Sequence, residues 1–278
     1  MVPPFLTQHF CKSTAYEPIG EEETFFIPIK DTESNKMRAN SEVPIGGGVF
    51  KLQMYRMASS QSGKGRVKTE LKQVAALGVS ADRIDIELSL LNSTTPSRGY
   101  KNDTILSTRW TSFKVGKTEE VESSTFKTYY WDDNVEIDVY YKNKKQRTWN
   151  SSDYRKDILL NSKGVDYPEY VDPNSGIEMD RPARTDWSRT AVTNACRLTE
   201  SEKRDYRNWF DKTYGKIKWN NSDGSWNYEI HHIRPCFLGG DKSKSNLIPL
   251  PTKYHRSVVS PWWTGYLRND AVDERDDE

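Results

Sequence analysis

Polar and apolar residues alternate strictly along Arg83-Ile84-Asp85-Ile86-Glu87-Leu88-Ser89-Leu90, and again along Val135-Glu136-Ile137-Asp138-Val139-Tyr140. A period of two over six or more residues gives a chain one apolar and one wet face, so both stretches are expected to be strands. Shorter or less regular apolar runs predict further strands over residues 25–29, 49–57, 104–115 and 125–131. Val67, Leu71 and Val74 share a stripe at helical spacing, and a helix is expected over 67–77. Up to about residue 147 the pattern is therefore that of a β-rich domain.

Turn formers crowd the next stretch: Asn150-Ser151-Ser152-Asp153, Tyr167-Pro168, Asp172-Pro173-Asn174-Ser175-Gly176 and Arg181-Pro182. They place a linker over 148–185. Beyond it, Leu198-Thr199-Glu200-Ser201-Glu202 reads as a helix start, with Thr199 as N-cap, Glu202 closing a capping box, and Tyr206, Trp209 and Phe210 as the apolar stripe. Residues 226–233 are aromatic and β-branched, Gly239-Gly240 permit a sharp reversal, and 247–250 form an apolar strand closed by Pro251. Thr252 is placed to cap a short helix carrying His255. The expected fold class is α+β: a β-rich N-terminal domain over 1–147, a smaller strand–loop–strand–helix domain over 186–270, and a frayed acidic tail over 271–278.

Composition excludes several classes. The 278 residues carry 41 Lys and Arg against 40 Asp and Glu, so whole-chain charge advertises no partner. A mean hydropathy of -0.86 is very polar, but nine Trp, fifteen Tyr and nine Phe argue against global disorder. The longest unbroken apolar run, Val74 to Val79, is far below the roughly 20 residues of a membrane helix. The first residues lack a basic and an apolar region, so no secretory signal and a cytoplasmic protein are expected. Cys11, Cys196 and Cys236 are odd in number and widely spaced, which predicts neither a disulfide framework nor a cysteine-built zinc knuckle; a reducing compartment follows, and Cys236 is read as a packing residue. Gly63-Lys64-Gly65 lacks the first Gly and the final Ser or Thr of a phosphate loop, and 59–65 is read as a mobile loop. Between Arg181 and Lys218, ten Lys and Arg stand against five acids. That excess fits a solvated helix face or a phosphate-binding surface.

Three of the four histidines, His231, His232 and His255, fall within 25 residues. The remaining one, His9, is read as a surface or capping residue, and Trp262-Trp263 as core or interface. The text from Tyr228 to about Arg268 resembles the HNH endonuclease family and its ββα-metal core. The family's acid-or-His, invariant His, Pro, Gly-Gly turn, middle Asn, apolar strand and final His are matched by His231, His232, Pro235, Gly239-Gly240, Asn246, Leu247 to Leu250, and His255. The double His preceded by Glu229 looks like the version in the DNase bacteriocins, except that their third metal His is here Val259.

The resemblance implies roles. His231 and His255 hold one divalent metal ion, Mg²⁺ or Mn²⁺ first and Zn²⁺ or Ni²⁺ as alternatives. His232 is the general base, its unperturbed pKa near 6.5 suiting proton transfer at neutral pH. Asn246 holds the His232 ring through its amide oxygen. Glu229, two residues before His231 and so on the same strand face, orients a ligand. Arg234, Arg256, Lys242 and Lys244, with Arg204 and Arg207 from the basic stretch, are candidates for phosphate contact. The expected partner is DNA and not a membrane. An antibacterial toxin or effector would add a cognate immunity protein or a delivery partner at the N-terminal domain. A restriction or anti-phage defence nuclease, with a recognition domain in its place, is the alternative, as is an inactive DNA-binding module.

Overall fold

The computed structural model of the chain describes residues 15–28, 45–58, 64–75, 79–151, 157–190 and 196–273. His9, Cys11, residues 59–63 of the Gly/Ser-rich loop and the tail from 274 on lie outside them. The chain divides into two compact units, Met1–Val165 and Asp166–Glu278.

The first unit is built from strands: β1 (Glu17–Pro28), β2 (Ile45–Met57), β3 (Gly65–Ala75), β4 (Val79–Ser80), β5 (Arg83–Ser93), β6 (Lys101–Trp110), β7 (Thr118–Thr125), β8 (Tyr129–Tyr141), β9 (Lys144–Asn150) and β10 (Ile158–Leu160). One sheet runs β1-β2-β3-β7, with β4 beside β2; the other runs β10-β8-β5-β6, with β9 beside β8. Phe50, Leu52, Met54, Val67 and Leu71 from the first share one core with Ile84, Ile86, Leu88, Leu90, Val135, Ile137 and Val139 from the second. These are the inward halves of alternating strands, the packing that period two predicts for β5 and β8.

The helix expected over 67–77 is strand β3. Val67 and Leu71 lie four apart, a spacing that satisfies both a helix and a strand. The deciding inward positions between and beyond them are Thr69 and Gln73, polar but fully buried, so the apolar pattern does not show the alternation. The strand expected over 125–131 is a second correction: it straddles the end of β7 and the start of β8, with Phe126 exposed between them. The stretch read as a linker is shared out. β10 joins β8 in the first unit, while 166–185 is packed into the second. There Tyr167 meets Trp262 edge-on at 4.9 Å, Asp172 is fully buried and caps its own turn through Ser175, and the Tyr266 hydroxyl donates to the Thr185 carbonyl at 2.9 Å.

The second unit contains helix α1 (Glu200–Tyr214), the antiparallel hairpin of β11 (Tyr228–His232) and β12 (Leu247–Pro251), and a C-terminal helix. Helix α1 starts with the expected capping box of Thr199 and Glu202. Its buried Tyr206 and Phe210 pack with Trp219 and Leu247, and the Tyr206 hydroxyl donates to the Leu247 carbonyl at 3.0 Å. The C-terminal helix begins as α2 (Thr252–Tyr254), passes through a π turn at His255–Val259 and continues as α3 (Ser260–Asp273). Thr252 is its first helical residue, and its hydroxyl makes no capping bond. Trp262 and Trp263 are core residues. Residues 271–273 of the tail continue the helix. Among the described residues no helix is long and apolar enough to cross a membrane.

Candidate active site

Strand β11 sends neighbouring side chains to opposite faces. On one face, Glu229 and His231 meet His255 from the start of the π turn. His231 Nδ1 lies 3.1 Å from His255 Nε2, and His255 Nδ1 lies 2.6 Å from Glu229 Oε2. Arg256 grips the same carboxylate at Oε1, through Nε at 3.0 Å and Nη2 at 2.5 Å. Burial pushes the Glu229 pKa up, but hydrogen bonds from Arg256 and His255 outweigh it and the carboxyl ends below its ordinary range. A carboxylate at Nδ1 places the neutral ring's proton there and leaves Nε2 of His255 as a lone-pair donor. His231 is buried, and burial together with the charges of His255 and His232 lowers its pKa to about 3. It is a neutral imidazole across the physiological range. Nδ1 of His231 and Nε2 of His255 face one another, the second ring oriented by a carboxylate, and imidazole nitrogens so placed suit a divalent transition metal.

His232 points to the other face. Its Nε2 is buried and makes no hydrogen bond. Burial lowers its pKa, partly opposed by the backbone of Cys196 and the charge of Asp241. Burial thus favours the neutral form of the ring.

Asn246 does not hold this ring. Its Oδ1 accepts from the Arg234 amide, and its Nδ2 donates to the carbonyls of Arg234 and Asp241. It shapes the loop after His232 and reaches the ring only through the backbone. Gly239 and Gly240 finish that loop: Gly239 has φ +82, and a Cβ at Gly240 would stand 1.8 Å from the Arg234 carbonyl oxygen. Val259, where the bacteriocin pattern has a histidine, is fully buried.

The cysteine reading needs correction. Cys196 and Cys236, 40 residues apart, form a disulfide with a Cα–Cα distance of 5.6 Å, beside His232. Chain spacing carried no sign of it, because the fold of α1 against the hairpin loop brings the two together.

Several basic candidates already have partners. Lys242 pairs with Glu202 at 2.7 Å, tying the loop to the first turn of α1. Arg256 is engaged with Glu229. Arg234 donates to the Leu238 carbonyl at 2.7 Å and stacks on Trp187. Arg207 lies over Trp226 and Lys244 over Trp209. Arg204 and Lys244 are exposed. In the basic stretch, Arg184 pairs with Asp186 and Lys203 with Glu200.

In comparisons with known proteins, the chain matches no protein-family model, no curated protein and no solved structure.

Proposed function

We propose that the second unit is an HNH-type, divalent-metal-dependent endonuclease that hydrolyses DNA phosphodiester bonds. The observation that carries this reading is the Glu229–His255–His231 chain on one face of β11, with a neutral His232 next along the strand. His231 and His255 are the residues that would hold the metal. When bound there, a divalent cation supplies Lewis-acid stabilisation of charge on the phosphate and the leaving oxygen.

The chain's own groups do the rest. Glu229 fixes the tautomer and direction of His255. His232 is the group that would take a proton from the attacking water. Asn246 and Gly240 fix the loop that sets the position of His232. The exposed Arg204 and Lys244 offer charge to the DNA backbone. The Glu229-Ile230-His231-His232 sequence favours an antibacterial toxin or effector, with the first unit as a delivery or docking module.

The test is plasmid cleavage by the full chain with Mg²⁺, Mn²⁺, Ni²⁺, Zn²⁺ or EDTA. Cleavage with Mg²⁺ or Mn²⁺ and none in EDTA is expected. His232→Ala should lower the rate roughly 10²–10⁴-fold while DNA binding persists. Full activity in EDTA, or near-normal cleavage by His232→Ala, would overturn the assignment.

A further inference from the structure

Three groups that ligate transition metals crowd the face of β11 opposite His231. The Sγ atoms of Cys196 and Cys236 and a ring nitrogen of His232 lie within 4.8 Å of one another. Cys196 is buried; Cys236 and His232 are half-buried. In the oxidised chain the two sulfurs are bonded to each other, and disulfide sulfur is a poor ligand. Thiolate sulfur with imidazole nitrogen is a preferred zinc donor set, and three protein ligands leave a fourth tetrahedral position for water. We propose that reduction of the Cys196–Cys236 bond turns this cluster into a Cys₂His site for zinc or a similarly soft divalent cation, and that filling it takes His232 out of proton transfer.

The ligands do not depend on the disulfide for their proximity. Cys196 lies three residues before the capped start of α1, and Glu202 in the first turn of that helix is tied to the hairpin loop through Lys242. Cys236 sits in a 3₁₀ turn closed by the Gly240 amide on the Pro235 carbonyl at 2.9 Å and the Gly239 amide on the Cys236 carbonyl at 3.1 Å. The Thr190 hydroxyl also donates to the Cys236 carbonyl. His232 is fixed by its pairing with Leu247 in the hairpin. Its buried Nε2 has no hydrogen-bond partner.

Two equivalents of a low-molecular-weight thiol break the protein S–S bond, yielding two protein thiols and one small-molecule disulfide. Each protein thiol then loses its proton to solvent on binding the cation. A neutral imidazole that gives one nitrogen lone pair to a cation carries its proton on the other nitrogen. Neither nitrogen of His232 is then a base. Cation binding stands apart from the nuclease reading, while the loss of cleavage rests on it.

The experiment uses the purified full chain, reduced with a phosphine or oxidised with a small disulfide, and Co²⁺ as the probe. Only thiolate ligands give sulfur-to-cobalt charge-transfer absorption, so His231 and His255 cannot mimic the signal. The reduced chain should show that band with one equivalent of Co²⁺, and Zn²⁺ should abolish it. Oxidised chain and the Cys196→Ser/Cys236→Ser variant should lack it, with circular dichroism confirming that the variant folds. No band in the reduced chain, or the same band after oxidation, would overturn the site. In the second arm, trace Zn²⁺ with excess Mg²⁺ should stop plasmid cleavage by the reduced chain and spare the oxidised one. Equal cleavage by both would overturn the regulatory part. A cobalt band with no cleavage in either redox state would instead strike the nuclease proposal and leave the cation site standing.

Discussion

Asn246 holds the backbone of Arg234 at both of its polar groups: Oδ1 accepts from the amide at 2.8 Å and Nδ2 donates to the carbonyl at 3.1 Å. A third bond, from Nδ2 to the Asp241 carbonyl at 2.9 Å, closes the neck of the loop between β11 and β12. Asn246→Ala should cost on the order of 2–4 kcal/mol, since it removes three hydrogen bonds and strands their backbone partners. Thermal unfolding measures this. Cleavage should also fall, although no group that touches the scissile bond is lost. Asn246→Asp keeps the acceptor and should lie between. A fully stable Asn246→Ala variant would mean that the loop is held by other contacts.

Much of the fold was legible in local pattern. The Thr199–Glu202 capping box spans only a few residues and recurs as written. The alternation in β5 and β8 needed no knowledge of a partner strand. β3 was misread because its inward Thr69 and Gln73 are polar, and the reason for burying them lies elsewhere: the Thr69 hydroxyl donates to Asp133 on β8. The histidine cluster could be found because its members are close in sequence. The disulfide could not, because nothing at Cys196 or Cys236 encodes which surface each will meet. Nor could spacing show that Asn246 grips backbone and not a ring.

Glu229→Gln tests the orientation of His255. The substitution keeps the shape but loses the charge that Arg256 and His255 Nδ1 both engage. Divalent-metal affinity should weaken about 10–100-fold, the usual effect of losing a carboxylate behind a metal-binding histidine. Calorimetric titration of Mn²⁺ into the two proteins checks it. Unchanged affinity would separate Glu229 from metal binding.

Glu202 should leave a mark on the acid limb of stability. Its hydrogen bond with Lys242, then those with the Thr199 backbone and hydroxyl, lower its pKa from 4.5 to about 2. Because the folded value lies below the unfolded one, the contribution is fully present above the unfolded pKa and is lost as pH falls through the folded one. Wild type should therefore exceed Glu202→Gln by a constant margin at neutral pH, and the margin should shrink between about pH 5 and pH 2. Urea unfolding at stepped pH reads this directly. A margin independent of pH would assign the effect to capping geometry and not to charge.

The π turn at His255–Val259 lets one helix answer to two phases. Upstream, His255 must face Glu229; downstream, Trp262 and Tyr266 must face the aromatic core around Tyr167. A regular α-helix couples such positions at about 100° per residue, and the extra residue in the turn releases that coupling. Shortening the turn by one residue would rotate one end against the other, so that either the imidazole or the indole leaves its place. The imidazole's bearing on Glu229 and the seating of the tryptophans are thus set independently, and the length of this single turn is what keeps the two compatible.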